Sequence, residues 1–122
     1  MRVVRIGTPP PTEQQRPIFK GRVLAQPLVG EEAQVHRLGA ISFRDGARTR
    51  LHHHDFDQVL LITEGDGIVA TDEHEHHVTP GDVVFVPAGE RHWHGAAPDA
   101  SMTHVSVNLV GTTMLDEDDA GE

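Results

Sequence analysis

The chain of 122 residues contains no cysteine. Thiolate metal sites, disulfides and thiol nucleophiles are therefore excluded. Aromatic residues are few, at 4%. No apolar run approaches the roughly 20 residues of a membrane span, and the opening "MRVVRIGTPPPTEQQRP" lacks the apolar centre of a signal peptide. The expected setting is cytoplasmic, with no membrane partner. Basic residues are outnumbered, 10 against 19 acidic, for a formal charge of −9. That balance argues against nucleic acid as a partner. The length suits one domain with a modest core.

Glycine and proline are plentiful, at 12 and 8, which favours many turns and short strands. Residues 7–17, "GTPPPTEQQRP", read as a polar, proline-rich arm. Candidate strands follow at 22–29, 35–43, 58–65, 66–71, 83–86, 91–96 and 101–110, with 83–86 ("VVFV") expected to be buried. "RDGA" (44–47), "TPGD" (79–82) and "PAGE" (87–90) read as turns, and "DEHEHH" (72–77) as a polar hairpin tip. No helical period is evident. The pattern is that of an all-β antiparallel sandwich or barrel. The divisions expected are an N-terminal arm (1–17), a barrel (18–112) and an acidic C-terminal tail (113–122), the last ending in "DEDDAGE".

Histidine is the anomaly. Ten occur, and they cluster. In "LHHHDFDQ" (51–58) a strand would put His52 and His54 on one face and His53 on the other. Two imidazoles one step apart can converge on a single ion. Gln58 has the same parity, but on a straight strand it would lie about 13 Å beyond His54. "DFD" (55–57) must bend if Gln58 is to join them. Further along, "PGDVVFVPAGERHWH" places His92 and His94 on a common face after a tight turn. His53 and His36 read as ordinary strand residues, and His74, His76 and His77 as solvated turn residues.

These segments resemble the cupin superfamily. Its first motif, G-x5-H-x-H-x3,4-E-x6-G, is matched by Gly46, His52, His54 and Gly65, with Gln58 in the glutamate position. Its second, G-x5-P-x-G-x2-H-x3-N, is matched by Gly81, Pro87, Gly89 and His92, with Ala96 in place of asparagine. The resemblance implies a single-domain β-barrel of the jelly-roll type, commonly a homodimer. It also implies a divalent transition metal on His52, His54, Gln58 and His92. "HWHGAAP" (92–98) and "MTH" (102–104) are further similar to the bacterial cupin-type hydroxynitrile lyases, which use manganese or iron. Asp55 and Phe56 stand where that group often has proline and leucine.

A glutamine ligand would leave the ion close to its full +2 charge, which suits Lewis-acid work on a carbonyl or alkoxide. Manganese is the expected ion, with iron, nickel or zinc as alternatives. His94 and His104 are the candidate proton acceptors, since strand parity lets both point inward. Trp93, on the opposite face, is expected in a sheet or subunit contact. The expected activity is that of a metal-dependent carbon–carbon lyase acting on a small carbonyl or cyanohydrin substrate. An iron-dependent dioxygenase and a non-enzymatic metal- and ligand-binding barrel are the alternatives.

Overall fold

In the computed structural model, which describes residues 1–117, alternating side chains and glycine turns fold into antiparallel strands, and no helix occurs among the described residues. The strands are β1 (Thr12–Glu13), β2 (Phe19–Val29), β3 (His36–Thr49), β4 (His52–His54), β5 (Gln58–Gly65), β6 (Gly67–Ala70), β7 (Glu75–Val78), β8 (Val83–Val86), β9 (Trp93–Ala96), β10 (Met102–Leu109) and β11 (Thr113–Leu115). Most belong to one curled sheet ordered β7-β6-β9-β3-β10-β5-β8, with β2 also beside β3 and β1 on β2. β4 and β11 pair separately. The result is the expected all-β cupin barrel.

The sheet curls because β3 changes partners along its length. Its first part pairs with β10, from His36↔Leu109 to Phe43↔Met102. Its end pairs with β9, at Arg48↔Gly95. Between them Asp45 and Gly46 adopt positive φ, 51° and 78°, and the register against β2 slips between Lys20 and Arg22. Residues 44–47 are therefore a bulge that bends a continuous strand. The turn expected there is corrected. So is the buried "VVFV" strand. Among the described residues β8 is a sheet edge paired only with β5, which leaves Val83 66% and Phe85 60% exposed. The hairpin tip also shrinks, because His76 and His77 belong to β7.

Inward-facing residues of the sheet form the core. Val23, Phe43, Leu60, Ile62 and Met102 are essentially inaccessible to solvent, and truncating one such residue to Ala costs about 2–5 kcal/mol. A second, smaller cluster of Leu28, Ala40 and Val105 has Val4 of the N-terminal arm packed on it. Buried Gln26 fastens that arm. Its Oε1 accepts from Gly7 N at 2.7 Å, and its Nε2 donates to Arg5 O and Thr8 O at 3.0 and 3.2 Å. At the other end, β11 and two acids lie in the stretch set apart as a tail. Glu117 accepts from Leu51 N at 2.6 Å and pairs with Lys20 at 2.7 Å. The remaining tail residues, 118–122, lie outside the described residues.

Candidate metal centre

The backbone brings three histidines together before any side chain acts. His52 and His92 exchange both peptide hydrogen bonds, each 2.9 Å, which sets their rings 4.3 Å apart between centroids. His54 follows two residues later on the same face, its ring 4.9 Å from that of His52. Its carbonyl accepts from Gly89 N at 2.8 Å, tying β4 to the 87–90 turn. The acids of "DFD" hold the bend that sequence parity required. Asp57 accepts from Ala88 N at 2.9 Å, and Asp55 accepts from Thr112 N at 2.7 Å. Phe56 stacks on His54, with centroids 4.6 Å apart. β5 then starts at Gln58 and returns its side chain to the histidines.

Each of the three rings is oriented through Nδ1. His52 Nδ1 donates to Arg50 O at 2.7 Å and His92 Nδ1 to Glu90 O at 2.8 Å. A carbonyl can only accept, so these neutral rings carry a bare lone pair on Nε2. His54 Nδ1 meets Thr113 Oγ1 at 2.7 Å, and its Nε2 is buried without a hydrogen-bond partner. This is the usual support of a metal-ligating imidazole. The potential ligand atoms of His52, His54 and His92 lie within 4.8 Å of one another, so the group can hold a divalent ion.

Gln58 supplies a second test of fit. Its Nε2 donates to Asn108 Oδ1 at 2.8 Å, which turns Oε1 toward His92 Nε2 at 3.2 Å. Two acceptors thus face each other. Protonating His92 would resolve this, but burial lowers its pKa below the ordinary histidine value. A bound cation would satisfy both lone pairs. Burial, and then the neighbouring His92, push His52 down to about 3 and His54 to about 4. The donors are therefore neutral at pH 7, as coordination requires.

His94 and His104 stand beside this group. The His94 ring is 5.5 Å from that of His52 and 5.6 Å from that of His92. His104 Nε2 and His94 Nδ1 share a hydrogen bond of 2.9 Å. Their outer nitrogens, His94 Nε2 and His104 Nδ1, are buried without partners. Burial lowers His94 well below the usual value and His104 to about 4. Phe43 packs edge-on against both rings, at 5.8 and 5.3 Å. Together with His52, His54 and Gln58, the pair lines a cavity of about 120 Å³. A larger cleft, about 390 Å³, is lined by His92 together with five valines, Phe85, Asp82 and Glu90. His52, His54, Gln58, His94 and His104 converge on the smaller one.

All six residues singled out in the sequence, His52, His54, Gln58, His92, His94 and His104, are buried and lie in this one region. His53 points elsewhere, to Asp116 at 2.8 Å. His36, His74, His76 and His77 are exposed. Trp93 makes a sheet contact, under the Arg48 guanidinium at 3.9 Å. Sequence reasoning missed Asn108, Thr113 and Arg16 as lining residues. Asn108 shares strand parity with His104 and Ser106, which was a usable signal.

The chain is similar to several known proteins. A family profile, the AraC-like ligand binding domain, matches residues 39–117. An (R)-mandelonitrile lyase of Granulicella tundricola is 36% identical over 88% of this chain and 83% of that protein. A cupin-like protein of Thermotoga maritima superposes with a TM-score of 0.80 and 30% identity, over 84% of this chain and 82% of the other. The polyketide cyclase RemF of Streptomyces resistomycificus, 18% identical, shares the fold at a TM-score of 0.85, over 97% of this chain and 87% of its own. The matched span contains every histidine of the buried group, and the chain belongs to the cupin superfamily, in the family of AraC-like ligand-binding domains.

Proposed function

We propose that the chain is a metal-dependent lyase that forms or cleaves small cyanohydrins, with His52, His54, Gln58 and His92 as the metal ligands. One observation carries the reading: a hydrogen-bonded, uncharged imidazole pair shares a small buried cavity with a three-histidine group. The likeness to an (R)-mandelonitrile lyase supports the substrate class. When bound, a divalent ion would supply Lewis-acid polarisation of the substrate oxygen. Manganese is proposed, since an amide oxygen with imidazoles and no thiolate is a comparatively hard donor set.

The protein's own part is proton handling. His94 Nε2 takes the hydroxyl proton of the cyanohydrin. His94 Nδ1–H can then pass to His104 Nε2 across 2.9 Å, spreading the charge over two rings. The electrons of the C–C bond leave with cyanide, which recovers a proton from the pair as HCN. The aldehyde remains. Addition of HCN runs the same steps in reverse.

Turnover of benzaldehyde with cyanide by metal-replete protein tests this. The wild type should exceed free metal. His94→Ala and His104→Ala should each keep the metal and lose about 10²–10⁴-fold in rate. If both variants retain full activity, the pair is not the proton acceptor. The family's ligand-binding character favours one other reading, a barrel that binds a small molecule without converting it. Tight binding of aldehyde with no turnover above free metal selects that reading.

A further inference from the structure

We infer that Arg16 is an anion-binding residue at the mouth of the histidine cavity, where it selects a small carbonyl or cyanohydrin substrate that carries a carboxylate. This rests on the reading of that cavity as the substrate site. Arg16 lines the histidine cavity and also two clefts beside it. One cleft shares Ile41, Ser106 and Asn108 with the cavity. The other shares Ile18 and Thr113. Arg16 thus stands where the three spaces meet. The cavity itself, about 120 Å³, is somewhat smaller than the roughly 150 Å³ cavity that encloses a benzene ring. A substituent on the far side of an aromatic aldehyde would extend toward Arg16.

The charge of this region runs against that of the molecule. The chain carries a formal −9, yet among the described residues no Asp or Glu lines the cavity or either cleft. Arg16 is exposed, but the backbone on either side of it is held, and its guanidinium is not neutralised. Gln14 N donates to Val23 O at 2.9 Å on one side of it. On the other, Arg50 Nη1 donates to Pro17 O and Phe19 O at 2.8 and 2.7 Å. The Arg16 guanidinium carbon sits 5.1 Å above the Phe19 ring, a cation–π contact that leaves the N–H fork free. No carboxylate pairs with it among the described residues. A planar fork of donors so placed suits a carboxylate.

The test is a binding titration of metal-replete protein with 4-carboxybenzaldehyde and with benzaldehyde. The wild type should bind the carboxylated aldehyde about tenfold more tightly, and added salt should shrink the preference. Arg16→Gln should abolish the preference and leave metal content unchanged. Arg16→Lys should restore part of it. Equal binding of the two aldehydes by the wild type, or no binding of the carboxylated one, overturns the proposal. So does a preference that survives Arg16→Gln, since the carboxylate is then held elsewhere. The readout is independent of turnover. An Arg16-dependent preference without cyanide chemistry removes the lyase reading and keeps the anion site, and turnover without the preference does the reverse.

Discussion

Gln58 uses both ends of one amide. Asn108 takes its N–H, and the opposed carbonyl oxygen is thereby aimed at the histidines. A carboxylate at this position could not be steered in the same way, because both its oxygens accept. Asn108→Ala frees the amide to rotate. The expected result is a metal affinity about 10–100-fold weaker, with the far-ultraviolet dichroism of the fold unchanged, as measured by competition with a chelator. An unaltered affinity would mean that Asn108 does not position the ligand. Residue types at alternating positions made much of the site legible. His52 with His54, and His92 with His94, lie two apart on their strands, so one face collects them. Asn108 was legible by the same rule. Thr113 was not, because it reaches His54 through the pairing of β11 with β4, 59 residues apart along the chain, and nothing local announces such a pairing.

At the scale of elements, the bend of β3 decides where β9 lies, and β9 carries His94. Only Arg48↔Gly95 joins the two strands in register. A Cβ on Gly95 would run into Arg48 Cα and Ala47 O. Gly95→Ala should therefore push β9 off β3 and cost about 1–3 kcal/mol, read as a lower denaturation midpoint. An unchanged midpoint would show that the strands can separate freely. This contact also explains what sequence patterning could and could not tell. Strands such as β5 and β10 were legible because glycine, proline and polar turns bracket them. "RDGA" was not, since Asp-Gly serves a hairpin turn and a bulge equally well, and only the partners of β3 distinguish them. "VVFV" carries an apolar residue at every position, which reads as burial on both faces. Its place at the sheet edge is a property of topology, invisible in four residues.

The whole molecule leaves an apolar row on its outer surface. Val83 faces Leu61 and Phe85 faces Val59 across the β5–β8 ladder, and Leu61 is itself 40% exposed. Water contact with such a row is unfavourable, and a second copy of the chain is the occupant proposed here. Light scattering should give a dimer mass, and Phe85→Glu should shift it toward monomer. A monomer in the wild type would remove the proposal. The buried histidines couple the whole fold to pH as well. An unfolded histidine titrates near 6.5, whereas His52 and His54 are held at about 3 and about 4 in the folded chain. Below about pH 6.5 the unfolded chain binds protons that the folded one does not, so stability falls as pH falls. Near pH 4 protons begin to take the nitrogens of these proposed ligands themselves. The decisive measurement is therefore the metal content of protein purified without an affinity tag, followed from pH 8 to about pH 3 with a chelator present. One divalent ion per chain at pH 8, released as the pH falls through about 4 toward 3, is expected of three neutral imidazoles around one ion. A chain that carries no ion at pH 8 and refuses added manganese, iron, nickel and zinc, or one whose ion survives below about pH 3, does not have that site.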